Sequence, residues 1–292
     1  MSGPILVFGR NGQVARELAR LGETQGLAMT FAGRDTLDLA DLGAIDGLIA
    51  KTAPRAVINA AAYTAVDRAE READAAFALN RDAPAAIAQA CAARGVPLAH
   101  FSSDYVFDGA LDRPYVETDP TNPTSVYGAS KLAGEQAVTA AGGAAIILRT
   151  SWVYSAHGTN FVRTMLRLAA DRDEVSVVAD QLGRPTWARD CAQAALLALD
   201  VLATNPAKAC LYHLSGADDA TWADLAAAVF EHSARRGGPT ARVRPITTDE
   251  YPTPARRPAN SRLDCGKIEA ALPWRCRPWR DSLATCMTEM EL

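Results

Sequence analysis

No C-x-x-C pair, no H-E-x-x-H and no close group of cysteine and histidine occurs in these 292 residues. The six cysteines (Cys91, Cys191, Cys210, Cys265, Cys276 and Cys286) and the four histidines lie scattered. Such spacing argues against a zinc module or a disulfide framework and predicts buried thiols in a reducing compartment. It assigns no transition-metal ligands. Long runs of one charge are missing too, and the net charge is only -4. A nucleic-acid or acidic-membrane surface is therefore not expected, and the Arg235–Arg236 pair reads as the solvated end of a helix. The run "CAQAALLALDVLA" is interrupted by Asp200 and falls short of a membrane span. "MSGPILVFGRNG" lacks the basic start and the apolar length of a signal peptide. With no internal repeat and no low-complexity tract, the chain reads as soluble and cytoplasmic.

What is present is apolar material, 49% of the residues, enough for one large domain or one with a smaller satellite. Short β-type runs alternate with helical patterns. "PILVFG" precedes "QVARELARLGETQG", where Val14, Leu18 and Leu21 are spaced for one helix face. "LAMTFAG" precedes "LADLGAIDGLIAKTA", with Leu42, Ile45 and Ile49 on one face. "RAVINAAA", "PLAHFSS" and "AAIILRTSWVY" are further strands, and Pro84 and Pro97 punctuate the helical region between the third strand and the fourth. The rhythm predicts an α/β fold, a doubly wound parallel sheet of Rossmann type. After Trp152 the pattern changes, with a helix near 160–172, a strand at "EVSVVAD", a helix at 187–203 and a strand at "CLYHLSG". The chain is expected to divide into a dinucleotide-binding domain, 1–152 with a returning segment near 186–215, and a smaller α/β substrate domain from 153–185 and 216–292.

The loop "VFGRNGQVA" joins the first strand to the first helix as Gly9-x-x-Gly12-x-x-Ala15. It offers a tight turn, a close backbone approach and a small packing residue, the needs of a pyrophosphate held at a helix N-terminus. An ordinary βα turn is the bland alternative, and the place at strand one favours the nucleotide. The second strand ends in "FAGRD". There Arg34 suits a 2′-phosphate and hence NADPH, while an inward-turned Asp35 would restore NADH.

Tyr127 and Lys131, in "VYGASKLAGE", fall four apart on a helix and so share a face. A nearby ammonium favours the phenolate and is expected to lower the phenol's pKa, which suits a proton donor to a carbonyl. Lys131 can also hold ribose hydroxyls. The hydroxyl of Ser103, in "FSSDYVF", ends a strand at the edge where doubly wound sheets bind ligands. Together these residues point to reduction of a ketone beside a nicotinamide.

"GRNGQVA", "LDLAD", "VINAAAYTAVDRAE", "FALNRDAP", "FSSDYVFDG", "VYGASKLAGE", "LRTSWVY", "DQLGRPT" and "YPTPARRPANSRL" together resemble the dTDP-4-dehydrorhamnose reductases, within the extended short-chain dehydrogenase/reductase superfamily. The resemblance runs in order over nearly the whole chain. It implies hydride transfer to C4 of a dTDP-bound 4-keto-6-deoxy sugar. By match, Tyr127 is the acid, Lys131 its partner and ribose anchor, and Ser103 the carbonyl-orienting hydroxyl, where the family often has Thr. Gly12, Gln13 and Val14 match the phosphate loop, Asp38 and Leu39 the segment beside the adenine, and Ala62, Tyr63 and Thr64 the loop after the third strand. Tyr63 stands where His is frequent, and Ala15 where a third Gly is usual. Asn80 matches a helix asparagine tied to a proton relay. Asp104 and Trp152 match substrate-side positions, and Arg256 or Arg257 the segment that meets the diphosphate. Some members bind Mg²⁺ through glutamates at a dimer interface. Glu17 matches one such position, but Arg189 stands where another acid belongs, and monomer and homodimer both stay open. Three alternatives remain: a reductase of another nucleotide-bound keto sugar, an epimerase with tightly held NAD⁺, and a non-catalytic dinucleotide-binding regulatory subunit.

Overall fold

The central element of the computed structural model, which describes residues 3–290, is a six-stranded sheet. Met1 and Ser2, where the N-terminal reading begins, and Glu291 and Leu292 lie outside the described residues. The chain runs β1 (Ile5–Phe8), α1 (Gln13–Gln25), β2 (Met29–Ala32), α2 (Leu42–Thr52) and β3 (Ala56–Asn59). Short helices α3 (Val66–Ala69) and α4 (Ala73–Phe77) lead through a π-helical turn, Ala78–Asp82, into α5 (Ala83–Ala92). Then come β4 (Leu98–Ser103), α6 (Val126–Ala140) and β5 (Ala145–Thr150). The sheet takes its sixth strand from further along the chain, so that the order is 211–213, β5, β4, β3, β1, β2 and every pairing is parallel.

Strand β1 shows why the sheet is covered twice. Ile5 and Val7 join Leu18 and Ile58 in a core with the helix at 188–204 on one face, while Leu6 and Phe8 join Ile45, Ile49 and Ile87 on the other. Alternate side chains leave a strand on opposite faces, so a strand buried on both reads as a continuous apolar run. Because all strands point the same way, Phe8, Ala32, Asn59, Ser103 and Thr150 end along one edge.

After β5 follow β6 (Val153–Tyr154), α7 (Phe161–Ala169), β7 (Glu174–Val178), β8 (Leu182–Gly183), β9 (Thr186–Trp187), α8 (Ala188–Thr204) and β10 (Leu211–His213). The tail holds β11 (Ala220–Thr221), α9 (Trp222–Arg235), β12 (Arg242–Ile246), α10 (Gly266–Ala271) and α11 (Trp279–Thr288). A second apolar cluster gathers here, with Val162, Trp187, Leu225, Val229, Phe230, Trp279 and Met287, packed beside the parallel pair β7–β12.

Several expectations are corrected. The run "AAIILRTSWVY" is not one strand: it breaks at Ser151 and Trp152, where Trp152 takes a left-handed φ of 49°. Leu42 is 43% exposed, because it opens α2 before that helix reaches the core. Pro84 does not end the helical region. Its missing N–H and its ring's clash with the carbonyl of residue 80 fall where the π-helical turn widens the helix, so the chain continues through it. Cys210 and Cys276 are half-buried, and all six thiols are free. Arg236 is not merely solvated, since it donates to the carbonyls of Met287 and Met290 at the end of α11.

Candidate active site

Helix α6 starts where two side chains satisfy its free N–H groups. Ser125 Oγ accepts from Gly128 N at 3.1 Å, and Glu70 Oε1 accepts from Val126 N at 2.9 Å. Both are the acceptors that a helix N-terminus lacks. Gly128 then lets the helix press onto the turn after β4, where a Cβ would stand 2.1 Å from the Tyr105 carbonyl oxygen. That contact brings Tyr127 to Ser103. The phenol lies near that hydroxyl, and the Tyr105 ring meets Tyr127 edge-on with centroids 5.4 Å apart. Ser103 Oγ donates to Asp104 Oδ1 at 3.0 Å and accepts from Tyr105 N, while the other Asp104 oxygen is buried without a partner.

Tyr127, Lys131, Ser103 and Asp104 are all buried. Burial pushes the Tyr127 phenol up to about 12, with the neighbouring Ser103 hydroxyl pulling the other way. The expectation that Lys131 lowers this phenol's pKa is not met here. The ammonium turns instead to the Phe101 carbonyl on β4, to which it donates at 2.6 Å. Burial also draws Lys131 down to about 8, although Glu135 one turn on raises it. The Asp104 carboxyl is pushed up to about 6 by burial, against the hydroxyls of Ser261 and Ser103. Desolvation, which disfavours whichever form is charged, thus moves all three groups.

The residues expected to hold the nucleotide gather at the same edge. Gly9 has φ 107°, and a Cβ there would crowd Ala60 at 3.2 Å, so the loop follows the backbone after β3 closely. Gly12 caps α1 with no side-chain hydrogen bond to its first N–H groups, and Gln13 holds a buried Oε1 with no partner among the described residues. The open helix start and the glycine cradle fit a dinucleotide's pyrophosphate. Val14 is half-buried beside them. Arg34 and Asp38 are exposed and Leu39 packs under the loop after β2, while Ala62, Tyr63 and Thr64 follow β3. Asn80 clamps this last loop: its Oδ1 accepts from Tyr63 N, and its Nδ2 donates to Tyr63 O and Ser130 Oγ. The amide is spent on holding the loop. The Tyr63 hydroxyl donates to Glu72 at 2.6 Å, a bond the usual histidine would not make in this form.

Of the residues expected to meet the substrate, Arg257 donates to Asp67 at 2.8 Å and keeps its Nη1 buried without an acceptor among the described residues, while Arg256 is exposed. Trp152 is sandwiched, stacked on Trp222 at 3.6 Å with Gly183 against its ring. Trp222, Ser261 and Arg10 are neighbours that reading the sequence missed. Trp222 and Ser261 lie far along the chain with no local signal, whereas Arg10 sits inside the glycine loop.

Glu17 does not offer a metal site. Its carboxylate is buried and taken by Arg189 at 2.8 Å and Ser155 at 3.2 Å, while Arg189 and Arg20 also hold Glu289. A guanidinium fills the place a cation would take, so Mg²⁺ does not fit there. Among the described residues no group of acidic, histidine or cysteine side chains has metal-binding geometry, and no helix is long and apolar enough to cross a membrane.

The family described as the RmlD substrate binding domain matches residues 3–292. The dTDP-4-dehydrorhamnose reductase of Sinorhizobium fredii is 48% identical over 280 residues, covering 95% of this chain and 94% of that protein. This chain belongs to the dTDP-4-dehydrorhamnose reductase family. The Escherichia coli K12 member is 41% identical, with 98% of this chain and 97% of that protein covered. A crystal structure of the Bacillus anthracis enzyme in complex with NADP superposes with a TM-score of 0.91 at 31% identity, covering 99% of this chain and 100% of that one.

Proposed function

We propose that the chain reduces the C4 keto group of dTDP-4-dehydro-6-deoxy-L-mannose to dTDP-L-rhamnose, with NADPH preferred over NADH. The observation that carries the reading is the buried Ser103, Tyr127 and Lys131 set at the strand edge that also bears the glycine loop. Gly9, Gly12, Gln13 and Val14 hold the pyrophosphate, and Lys131 the ribose beside the nicotinamide. When bound, the nicotinamide supplies the hydride. Tyr127 supplies the proton to the carbonyl oxygen, and a phenol near 12 stays protonated throughout the neutral range. Ser103 orients that oxygen. Its proton now points at Asp104, so Asp104 in its protonated form frees the hydroxyl to turn to substrate. Asp104, Trp152, Arg256 and Arg257 face the sugar nucleotide, with Arg257 suited to a diphosphate oxygen.

The direct test follows NADPH oxidation with the enzymatically made dTDP keto sugar and its GDP and UDP counterparts. Turnover confined to the dTDP sugar, with dTDP-L-rhamnose as product, is expected. Faster turnover of another base would assign a different keto sugar. A purified protein that retains NAD⁺ and turns over none of them would point to an epimerase.

A further inference from the structure

Arg10 stands between Gly9 and Gly12, where β1 gives way to α1. Its guanidinium reaches to the end of β2 and donates to Asp35 Oδ2 at 2.6 Å, its one hydrogen-bond partner among the described residues. Both side chains are more than half exposed, 53% and 58%. An ion pair so wet contributes little to stability. The backbone is nonetheless shaped to admit it. Gly33 is buried directly beneath, and a Cβ there would lie 2.6 Å from Asp35 Oδ1 and 3.0 Å from Arg10 Cβ.

A dinucleotide laid across this edge puts its adenosine ribose over the end of β2. A free carboxylate there accepts a 2′-hydroxyl and repels a 2′-phosphate. Asp35 is that carboxylate, and Arg10 occupies it. Arg34, next to Asp35 in sequence, exposed and without a hydrogen-bond partner among the described residues, brings a second guanidinium to this loop. The three side chains carry one net positive charge with Arg10 and none without it.

We propose that Arg10 is the residue that selects between the two nicotinamide dinucleotides. It cancels Asp35 and, with Arg34, supplies the guanidinium that a 2′-phosphate engages. The pair also keeps Arg10 extended over the ribose position, so phosphate oxygens replace a carboxylate that already held it in place. This deepens the NADPH-dependent reading above and rests on it for the reaction, though not for binding.

The test measures dissociation constants for NADPH and NADH, by quenching of tryptophan fluorescence, beside kcat/KM for both. It uses the unmodified protein, Arg10→Ala, Arg10→Lys, Asp35→Ala and the double alanine variant. Losing one charge-assisted contact to phosphate should lower the NADPH-to-NADH preference about tenfold to about a hundredfold in Arg10→Ala. That loss should appear in KM, with the melting temperature unchanged. Arg10→Lys should recover part of it, since an ammonium keeps the charge without the planar fork. Asp35→Ala should move the preference the opposite way, and the double variant should fall between the two single ones. A preference untouched by Arg10→Ala, or moved in the same direction by both single variants, would overturn the proposal. Because binding is read without turnover, a protein inactive on every keto sugar would sink the reductase reading and leave this one standing.

Discussion

Lys131 and Glu135 lie one turn apart on α6, both buried, and their surroundings differ in kind. Glu135 is met by Arg149 through two hydrogen bonds of 2.8 and 2.7 Å, and the guanidinium also covers the Phe107 ring. Among the described residues Lys131 has only the neutral carbonyl of Phe101. The first group is finished as structure: charge meets charge, and α6 is fastened to β5. The second is left with a hydrogen-bond geometry that a ribose hydroxyl can share and a charge that nothing at hydrogen-bond distance among the described residues neutralises. The same contrast recurs nearby. The Glu17, Arg189, Glu289 and Arg20 network closes on itself, while Asp104 and Gln13 each keep a buried oxygen without a partner among the described residues. Buried polar atoms are nearly always paired, so the unpaired oxygens of Gln13 and Asp104 suit a place where a ligand completes the set.

The largest expected effect breaks the unfinished side of this comparison. Tyr127→Phe keeps the ring against Tyr105 and removes the hydroxyl proposed to donate the proton. Turnover should fall by ~10²–10⁴-fold, with NADPH affinity little changed. Retention of more than about a tenth of the rate, well outside that range, would assign the proton to another group.

Next comes the finished side. Arg149→Ala leaves the Glu135 carboxylate buried and alone, which costs about 3–5 kcal/mol where a buried pair loses one member. The melting temperature should drop sharply. Burial and Arg149 now hold His213 down to about 3. Without the guanidinium that imidazole should titrate at higher pH, observable by NMR. A variant as stable as its parent would mean the pair contributes nothing, and the contrast with Lys131 would lose its meaning.

The parallel sheet and its glycine loop were legible because both are local. A run such as "ILVF" and a glycine pair directly after it carry their own spacing. Tyr127 and Lys131 were legible for the same reason, four residues apart on one helix. What could not be read was which way each side chain turns. The bond from Lys131 to Phe101 depends on how α6 lies over β4, which Gly128 sets through its contact with Tyr105. The stacking of Trp222 on Trp152 joins residues seventy apart and leaves no periodic trace. Trp152 itself breaks a run that reads as one strand. Arg10 and Asp35 stand in two loops 25 residues apart, and only the pairing of β1 with β2 brings those loops together.

The smallest effect, and the sharpest in sign, belongs to Lys131→Met. Burial lowers this ammonium from 10.5 to about 8, a difference equivalent to about 3 kcal/mol at most. A lysine with a depressed folded-state pKa bears that cost in full below pH 8, where both states are protonated. Between pH 8 and 10.5 the unfolded chain holds the extra proton, and stability rises as pH increases. Methionine removes the cost. The variant should therefore melt a few degrees higher than its parent at pH 7, and the gap should close as the pH approaches 10.5. Function should move the other way. Ribose binding loses its ammonium, so KM for NADPH should rise. The alkaline limb of kcat/KM, which reports groups of the free enzyme, should lie near pH 8 in the parent and vanish in the variant, because Tyr127 stays protonated to about 12. A variant that melts lower, keeps its affinity and keeps the limb would show Lys131 to be as structural as Glu135.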